Sequence, residues 1–253
     1  MTRDWNPDLY LRFKKERTQP SIDLANRIRD LRPETAADLG CGPGNSTAVL
    51  RSVFPETKIT GIDSSENMIR QARQNHPDLN FRLCDVRALE GRYDLIFSNA
   101  CLHWIPDHRS LIPELMKKLN PGGMLAVQFP MNRDEPLYRS AEEMSDDPRW
   151  GIPPGSVDNK DTLMPDEYYD ILAGCSSDFQ IWQCLYCHAL PSHESLIDWI
   201  RGTRLRRYES HLSEEQSTRF EEELLRRTKD LYPVHSDGRV LLHFRRFFFT
   251  AKK

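Results

Sequence analysis

The stretch DLGCGPGNST, residues 38 to 47, decides the fold of this chain. It places three glycines and one proline within the five positions 40 to 44. Glycine loses more conformational freedom on folding than any other residue, so a glycine cluster needs a role that only a missing Cβ allows. Apolar residues precede the cluster, and Asn45, Ser46 and Thr47 can cap a following helix. A strand, a glycine turn and a helix start are typical of a nucleotide-binding turn, although a purely structural tight turn has the same pattern.

The spacing of these glycines argues against a nicotinamide dinucleotide site. Such sites carry the pattern G-x-G-x-x-G, whereas Gly40, Gly42 and Gly44 form G-x-G-x-G. Asp38 comes two residues before the first glycine, where its charge would repel a pyrophosphate. A ligand with an ammonium group and no phosphate suits this carboxylate better, and S-adenosyl-L-methionine is such a ligand.

Length and charge narrow the class of protein. The 253 residues suffice for one large α/β core. The net charge is −3, and basic residues are interspersed with acidic ones, so we expect no nucleic-acid partner. No segment approaches the roughly 18 apolar residues that span a bilayer, and the N-terminus lacks the apolar core of a signal peptide. We expect no membrane partner and a cytoplasmic location; the oligomeric state stays open, and a monomer is compatible with the sequence.

The six cysteines fit reduced thiols in a cytoplasm, because a chain of this size needs no disulfide to fold. Cys184 and Cys187 form a C-x-x-C pair, which can indicate a metal or redox site. Their surroundings, QIWQCLYCHAL, read as a strand, in which positions three apart face opposite sides. We therefore predict no metal site.

Strand and helix patterns alternate through the first half of the chain. Apolar residues at helical spacing predict a leading helix over 21–31, before Pro33. The predicted strands cover 36–41, 58–63, 80–85, 93–99 and 123–129. Helical patterns separate them, and Asn120, Pro121 and Gly122 end the helix before the last of these strands. This order predicts an α/β, Rossmann-like fold: a mostly parallel twisted sheet with helices on both faces.

The second half of the chain predicts a helical cap and the end of the sheet. Residues 131–165 are rich in proline and read as short helices and loops. A strand near 179–190, a helix near 192–201, a long helix after Ser213 and a last strand at 240–251 follow. We predict a single domain over 1–253, with a cofactor-binding core at about 34–130. The segment 1–33 and the cap, 131–165 plus 192–235, are expected to contribute to a substrate pocket.

Acidic residues close three consecutive predicted strands, at the sheet edge where such folds bind ligands. Asp63 can accept both hydroxyls of a ribose. Asp85 can accept from an adenine amino group while the backbone NH of Val86 reaches a ring nitrogen. Asp38 can hold the methionine ammonium through a water. The predicted cofactor-binding residues are Asp38, Gly40, Gly42, Gly44, Asp63, Ser64, Asp85, Val86, Asn99 and Trp104.

With LNPGG at 119–123, this constellation resembles the class I S-adenosylmethionine-dependent methyltransferases over residues 34–130. Further segments are similar to the trans-aconitate 2-methyltransferase family almost from end to end: WNPDLYLRFKKERTQP at 5–20, WIPDH at 104–108, LAVQFP at 125–130 and PSHESLIDWI at 191–200. The resemblance implies methylation of one carboxylate of a small tricarboxylate. Gln19 stands where the family usually has a second arginine, and His103 replaces a glutamine. Three positions carry arginine where the family commonly has another residue: Arg204 in place of glycine, and Arg207 and Arg245 in place of proline.

The chemistry of such a substrate assigns roles to further residues. A carboxylate is already a nucleophile at neutral pH, so we predict no catalytic general base. Arginine's planar fork suits the remaining carboxylates of a small polycarboxylate partner. The predicted substrate-binding residues are Tyr10, Arg17, Trp104, Arg206 and Arg246, of which Arg17 and Arg206 match family positions.

Two alternatives of different kinds remain open from the sequence. The acceptor could be another small acid, an amine or a phenol, in which case His103 becomes a candidate base. The chain could also be a noncatalytic module that binds the cofactor and uses the charged helix after Ser213 to contact a partner protein.

Overall fold

The computed structural model of the chain describes residues 13–157, 162–201 and 203–253. Its seven strands form one sheet in the order β3-β2-β1-β4-β5-β7-β6. The strands are β1 (Thr35–Leu39), β2 (Lys58–Asp63), β3 (Asn80–Leu83), β4 (Tyr93–Asn99), β5 (Leu119–Pro130), β6 (Asp178–Leu190) and β7 (Val240–Lys252). Strands β1 to β5 pair in parallel and β7 runs antiparallel to β5. The predicted α/β, mostly parallel sheet is confirmed.

Helices follow the strands as the alternating pattern predicts. They are α1 (Lys14–Arg27), α2 (Asn45–Val53), α3 (Glu66–Asn75), α4 (His108–Lys117), α5 (Pro136–Ser145), α6 (Pro165–Ala173), α7 (His193–Arg201), α8 (Leu205–Glu209) and α9 (Glu214–Leu231). Short 3-10 turns lie at Val86–Ala88, Leu102–Trp104 and Pro148–Trp150. No helix within the described residues is long and apolar enough to cross a bilayer.

Element ends differ from the sequence prediction where polar contacts decide them. Helix α1 begins and ends earlier than the predicted range 21–31 and contains Pro20. The sequence prediction missed its first turns because they are polar and carry no apolar period. The segment at Asn120 does not end a helix. It lies in β5, where Asn120 Nδ2 donates to Asp94 Oδ1 at 2.7 Å and Gly122 N donates to the carbonyl of Lys253 at 3.0 Å. A register shift between Tyr93 and Leu95 accommodates this irregular start.

Contacts between Cα atoms divide the chain into two compact units. One comprises, of the described residues, 13–130, 162–184 and 246–253, and the other 131–157, 185–201 and 203–245. The first holds strands β1 to β5 with α1 to α4 and α6, and the second holds α5, α7, α8 and α9. The single domain expected from the sequence stays a prediction.

In the second unit, the long helix α9 packs against α5, α7 and α8. Its capping box is confirmed: Ser213 N donates to Gln216 Oε1 at 3.0 Å, and Gln216 N donates to Ser213 Oγ at 3.2 Å. The edge of Trp150 packs against Phe220, which also stacks on Tyr208. These rings give the unit an aromatic core of its own.

A buried His108–Tyr168 pair anchors the first unit between α4 and α6. His108 Nε2 lies 2.8 Å from the carbonyl of Leu102, which can only accept, so Nε2 carries the ring proton. Nδ1 therefore accepts from the Tyr168 hydroxyl at 2.5 Å. Burial lowers the pKa of His108, in keeping with a neutral ring. The pair thereby holds the turn Leu102–Trp104, which follows β4.

We expect Tyr168→Phe to lower the free energy of unfolding by about 1–3 kcal/mol, because it leaves a buried ring nitrogen without its donor. Tyr169→Phe is the matched control, since Tyr169 is the next residue of α6 and its side chain is exposed. Its effect should stay within about 0.5 kcal/mol. Urea unfolding of both variants measures the difference, and equal losses would contradict the assigned hydrogen bond.

Candidate functional site

The register of the sheet brings three predicted site residues, Asp38, Asp63 and Asn99, to one face and one edge. Asp38 lies opposite Phe97, two residues before Asn99, and Asn99 lies opposite Gln128. Paired positions and positions two apart along a strand share a face. Asp63 shares the same face through Gly61, the partner of Asp38. These side chains therefore line the carboxyl ends of β1, β2, β4 and β5; the sequence predicts this placement for Asp38, Asp63 and Asn99 but not for Gln128.

The glycine turn combines two different steric requirements. Gly40 has φ +67°, and a Cβ there would lie 2.2 Å from Cys101 Sγ, so packing alone demands glycine. Gly42 has φ +53°, and a Cβ there would meet no atom of the described residues within 4 Å. Its backbone N donates to Asp63 Oδ2 at 3.0 Å. The turn is thus built against the protein at Gly40 and open at Gly42, where a ligand can approach the backbone.

Asp38 is fully buried, and only one of its carboxylate oxygens is satisfied. Oδ2 accepts from Ser46 Oγ at 2.7 Å and from Thr47 Oγ1 at 2.6 Å. Oδ1 has no hydrogen-bond partner among residues 13–157, 162–201 and 203–253. Burial raises the pKa of Asp38 to about 6 despite the two hydroxyl donors. A buried carboxylate with one oxygen unpaired favours a cationic or hydrogen-bond-donating ligand.

The hydroxyls at 46 and 47 correct one expectation. The sequence offers Asn45, Ser46 and Thr47 as helix caps, but the N-cap of α2 is Gly44, with φ +94°. Ser46 and Thr47 lie within the first turn of α2 and donate to Asp38 instead. The cause is tertiary, because the charge buried at the end of β1 takes both hydroxyls as donors.

Asp63 is tied to the glycine turn at the end of β2. Its Oδ1 accepts from Ser65 N at 2.8 Å and its Oδ2 from Gly42 N. The predicted contact with the ribose hydroxyls would use these same two oxygens. Ser64 is exposed beside it, while Ser65 is the N-cap of α3. The roles of Asp63 and Ser64 toward the ribose stay predictions.

Asp85 has a partner that sequence reasoning missed. The guanidinium of Arg87 forks onto it, with Nε 3.0 Å from Oδ1 and Nη2 2.6 Å from Oδ2. This pair lowers the pKa of Asp85. Asp85 also caps the turn that begins at the buried Val86. An adenine amino group would have to share the carboxylate with Arg87, so the predicted contact remains to be tested.

A strained backbone follows Asn99 at the end of β4. Ala100 has φ +54°, which is rare for a residue with a Cβ, and its N donates to the carbonyl of Gln128 at 2.8 Å. Asn99 is buried, and its Oδ1 has no partner within the part of the chain that the structure describes. The ring of Trp104 lies 5.0 Å from that of His103 and is 36% exposed. Strain and an unsatisfied buried amide at one strand end are typical of a ligand site.

The predicted arginines fall into different surroundings. Arg17 in α1 and Arg246 in β7 are buried in the first unit, and Arg246 lies opposite Pro130 on the same face of the sheet as Gln128. Arg206 is half-buried in α8 of the second unit. Tyr10 lies outside the described residues. The structure therefore does not test the substrate roles of these residues, which stay predictions.

The most buried arginine of the segment GTRLRRY was not selected as a site residue from the sequence. Arg204 is 4% exposed, and its guanidinium lies 5.6 Å from the ring centre of Tyr138. The run GTRLRRY offers three arginines and no apolar period that would single out the first. The sequence indicates a difference in burial only for Arg245 and Arg246, since neighbouring residues of a strand face opposite sides.

Taken together, the first unit fits a cationic, phosphate-free nucleoside. Asp38 Oδ1 offers an acceptor for an ammonium, Gly42 offers an open backbone surface, and Asp63 places a carboxylate beside that surface. No grouping of three or more His, Cys, Asp or Glu that could hold a metal occurs among the described residues. Cys184 is half-buried and Cys187 exposed in β6, consistent with opposite faces.

Comparisons with known proteins agree with this geometry. A family model described as a methyltransferase domain matches residues 36–123. A trans-aconitate 2-methyltransferase from Variovorax paradoxus is 39% identical over 99% of this chain and 98% of its own. One from Klebsiella pneumoniae is 41% identical over the same shares.

Solved structures of lower identity share the fold. The YcgJ protein of Bacillus subtilis superposes with a TM-score of 0.60 at 14% identity, covering 93% of this chain and 98% of that one. A phosphoethanolamine N-methyltransferase of Haemonchus contortus, solved with S-adenosyl-L-methionine, gives 0.57 at 16% identity, covering 92% and 52%. The Rossmann-like fold is confirmed by these similarities.

We expect the affinity for S-adenosyl-L-methionine to fall about tenfold between pH 7.5 and pH 5, because Asp38 loses its charge below a pKa of about 6. Asp38→Asn should bind the donor more weakly at pH 7.5 and lack this pH dependence. Calorimetry at both pH values measures it.

The control ligand for this titration is 5′-methylthioadenosine, which has no ammonium group. Its affinity should be the same for both proteins at both pH values. A variant that keeps the full pH dependence for the donor would show that another group causes it.

Proposed function

The chain belongs to the trans-aconitate 2-methyltransferase family, and from this membership we propose that it transfers a methyl group from S-adenosyl-L-methionine to one carboxylate of trans-aconitate. The observation that carries the proposal is the identity of about 40% over nearly the whole length of both chains. That similarity extends beyond residues 36–123, which the methyltransferase model matches. A small-molecule acceptor and a cytoplasmic location are parts of the same proposal.

Residues of the first unit would hold the cofactor, which supplies an electrophilic methyl group on a sulfonium. Asp38 Oδ1 accepts from the ammonium, directly or through a water. Asp63 accepts from the ribose while it keeps the turn closed through Gly42 N. Asp85 and Val86 face the adenine in this proposal, and the backbone of Gly40, Gly42 and Gly44 lies against the methionine portion of the cofactor.

The reaction asks the protein for position and charge rather than for a base. An ionised carboxylate attacks without losing a proton, so no residue has to remove one. Orienting two reactants in a near-attack geometry lowers a barrier by roughly 7–11 kcal/mol. Buried guanidinium groups such as those of Arg17 and Arg246 suit the carboxylates that do not react, because a planar guanidinium can donate to both oxygens of one carboxylate.

The sign of the charges also assigns a task to product release. Esterification removes one negative charge from the acceptor, so its attraction to a buried arginine weakens once the methyl group has moved. An arginine on the attacking carboxylate would instead reduce its nucleophilicity. The clamps are therefore placed on the carboxylates that keep their charge.

We expect the purified chain and S-adenosyl-L-methionine to convert trans-aconitate to its monomethyl ester, detected by mass spectrometry as a product heavier than the acid by one CH2 group. Citrate and isocitrate serve as comparators and should react more slowly. At saturating donor the rate should be flat between about pH 7 and 9, since the acceptor is already ionised. A rate that rises through neutral pH, with an amine or phenol as the better acceptor, would favour His103 as a base instead.

We expect Arg246→Ala to raise the KM for trans-aconitate at least about tenfold, with a smaller fall in kcat, because a charge-assisted pair to the substrate is worth roughly 1.5–3 kcal/mol. Arg245→Ala is the matched control: it is the neighbouring arginine of β7, but its side chain is exposed. Steady-state kinetics at saturating donor give both constants, and an unchanged KM in Arg246→Ala would remove this residue from the substrate site. Arg206→Ala, measured in the same way, tests the predicted substrate role of Arg206.

A further inference from the structure

Gln128 in β5 is a buried amide to which the sequence assigns no role. Its side chain is 0% exposed, and neither Oε1 nor Nε2 has a hydrogen-bond partner in the described ranges 13–157, 162–201 and 203–253. Each buried polar group left unsatisfied costs about 1–3 kcal/mol. An apolar residue of similar size would avoid this cost, so the presence of an amide here indicates that a ligand satisfies it.

The position of Gln128 links it to the site already described. It lies opposite Asn99 in β4 and opposite Phe248 in β7, at the carboxyl end of the parallel strands. Its carbonyl accepts from the strained Ala100, which fixes the two strand ends to each other. Asn99 Oδ1 also lacks a partner among the described residues. Two neighbouring amides that do not satisfy each other, on the same face as Asp38, indicate a polar ligand between or above them.

The chemistry of methyl transfer explains why these groups are neutral. The acceptor carboxylate loses its negative charge as it is methylated, so any group that stabilises this charge binds the ground state more tightly than the transition state. A hydrogen bond from a charged donor is roughly twice as strong as a neutral one. A guanidinium on the reacting carboxylate would therefore raise the barrier, whereas an amide NH orients the oxygen at a smaller cost.

We propose that Gln128 is the substrate-orienting residue of this site: its Nε2 donates to the acceptor carboxylate that receives the methyl group. The proposal rests on the function proposed above. In the step itself, an oxygen lone pair of that carboxylate forms the new O–C bond while the S–C bond breaks and its electron pair goes to sulfur. The products are the ester and S-adenosylhomocysteine, and no proton is taken up or released.

The decisive variant is Gln128→Leu, which keeps the bulk and removes both polar atoms. We expect kcat/KM for trans-aconitate to fall about 10- to 100-fold, the cost of one hydrogen bond to a charged group. The share of ester formed on the other carboxylates should rise, because the reacting group is no longer held. The Kd for the donor should change less than twofold, and the melting temperature should not fall.

Thr250→Val is the matched control, since Thr250 is buried on the same face of the sheet but lies opposite Ala126, two residues before Gln128. It removes a buried hydroxyl and should leave kcat/KM and the product ratio unchanged. Gln128→Glu is the second variant, in case the leucine variant does not fold. Its carboxylate repels the acceptor, so its activity should increase as the pH is lowered from 8 to 6 at saturating donor, while wild type stays flat.

The wild-type protein separates the two levels of the proposal. If wild type esterifies trans-aconitate and the folded Gln128→Leu variant keeps both kcat/KM and the product ratio, the role of Gln128 is overturned while the function stands. If wild type binds the donor but esterifies none of the three acids, the function is overturned and the role of Gln128 with it. A lower kcat/KM with an unchanged product ratio and a lower melting temperature would make Gln128 a structural residue only.

Discussion

The charge of Asp38, buried at the end of β1, is the constraint around which the cofactor half of the structure is arranged. Burial outweighs the two hydroxyl donors, so the pKa of this carboxyl is raised to about 6. Both donors come from the first turn of α2, which requires this helix to start at Asn45 with a left-handed Gly44 before it. The glycine-rich turn thus places α2 over Asp38 and leaves one oxygen of the carboxylate to a ligand.

A second constraint holds the turn from its other side. Asp63 ends β2, and its two oxygens join the backbone of Gly42 to that of Ser65, so the turn after β1 and the start of α3 share one carboxylate. Gly40 closes against Cys101, which follows β4. The ends of β2, β1 and β4, which are neighbours in the sheet, are therefore held together by short polar or steric contacts. Such a rigid edge suits a reaction that depends on orienting two reactants.

The sequence predicted those features that follow from periodicity and topology. Alternating strands and helices imply a parallel sheet. A parallel sheet places Asp38, Asp63 and Asn99 at one edge, independently of the conformation of the loops. The residues it missed depend on particular side-chain contacts instead. Arg87 reaches Asp85 because a 3-10 turn folds it back, and Asn120 joins β5 because Asp94 accepts from it. Neither contact leaves a period in the sequence.

The arginines show which differences in burial a local sequence pattern can predict. Arg245 and Arg246 differ in burial because they sit on opposite faces of β7, which the strand period alone predicts. Arg204 is the N-cap of the short helix α8 and Arg206 and Arg207 lie within it, and no period distinguishes the three.

Net charge does not explain how a polyanion would be held by this chain. The chain carries −3, so its long-range field does not attract a tricarboxylate, and salt screens such fields beyond about 8–10 Å. Recognition of such an acceptor would therefore come from short contacts, and in the function proposed above buried guanidinium groups bind the carboxylates that stay charged. The carboxylate that is methylated has the opposite requirement, since it must give up its charge during the reaction. A site that treats three carboxylates of one acid differently would need two kinds of donor, and β5 and β7 carry both on one face: the neutral amide of Gln128 and the guanidinium of Arg246.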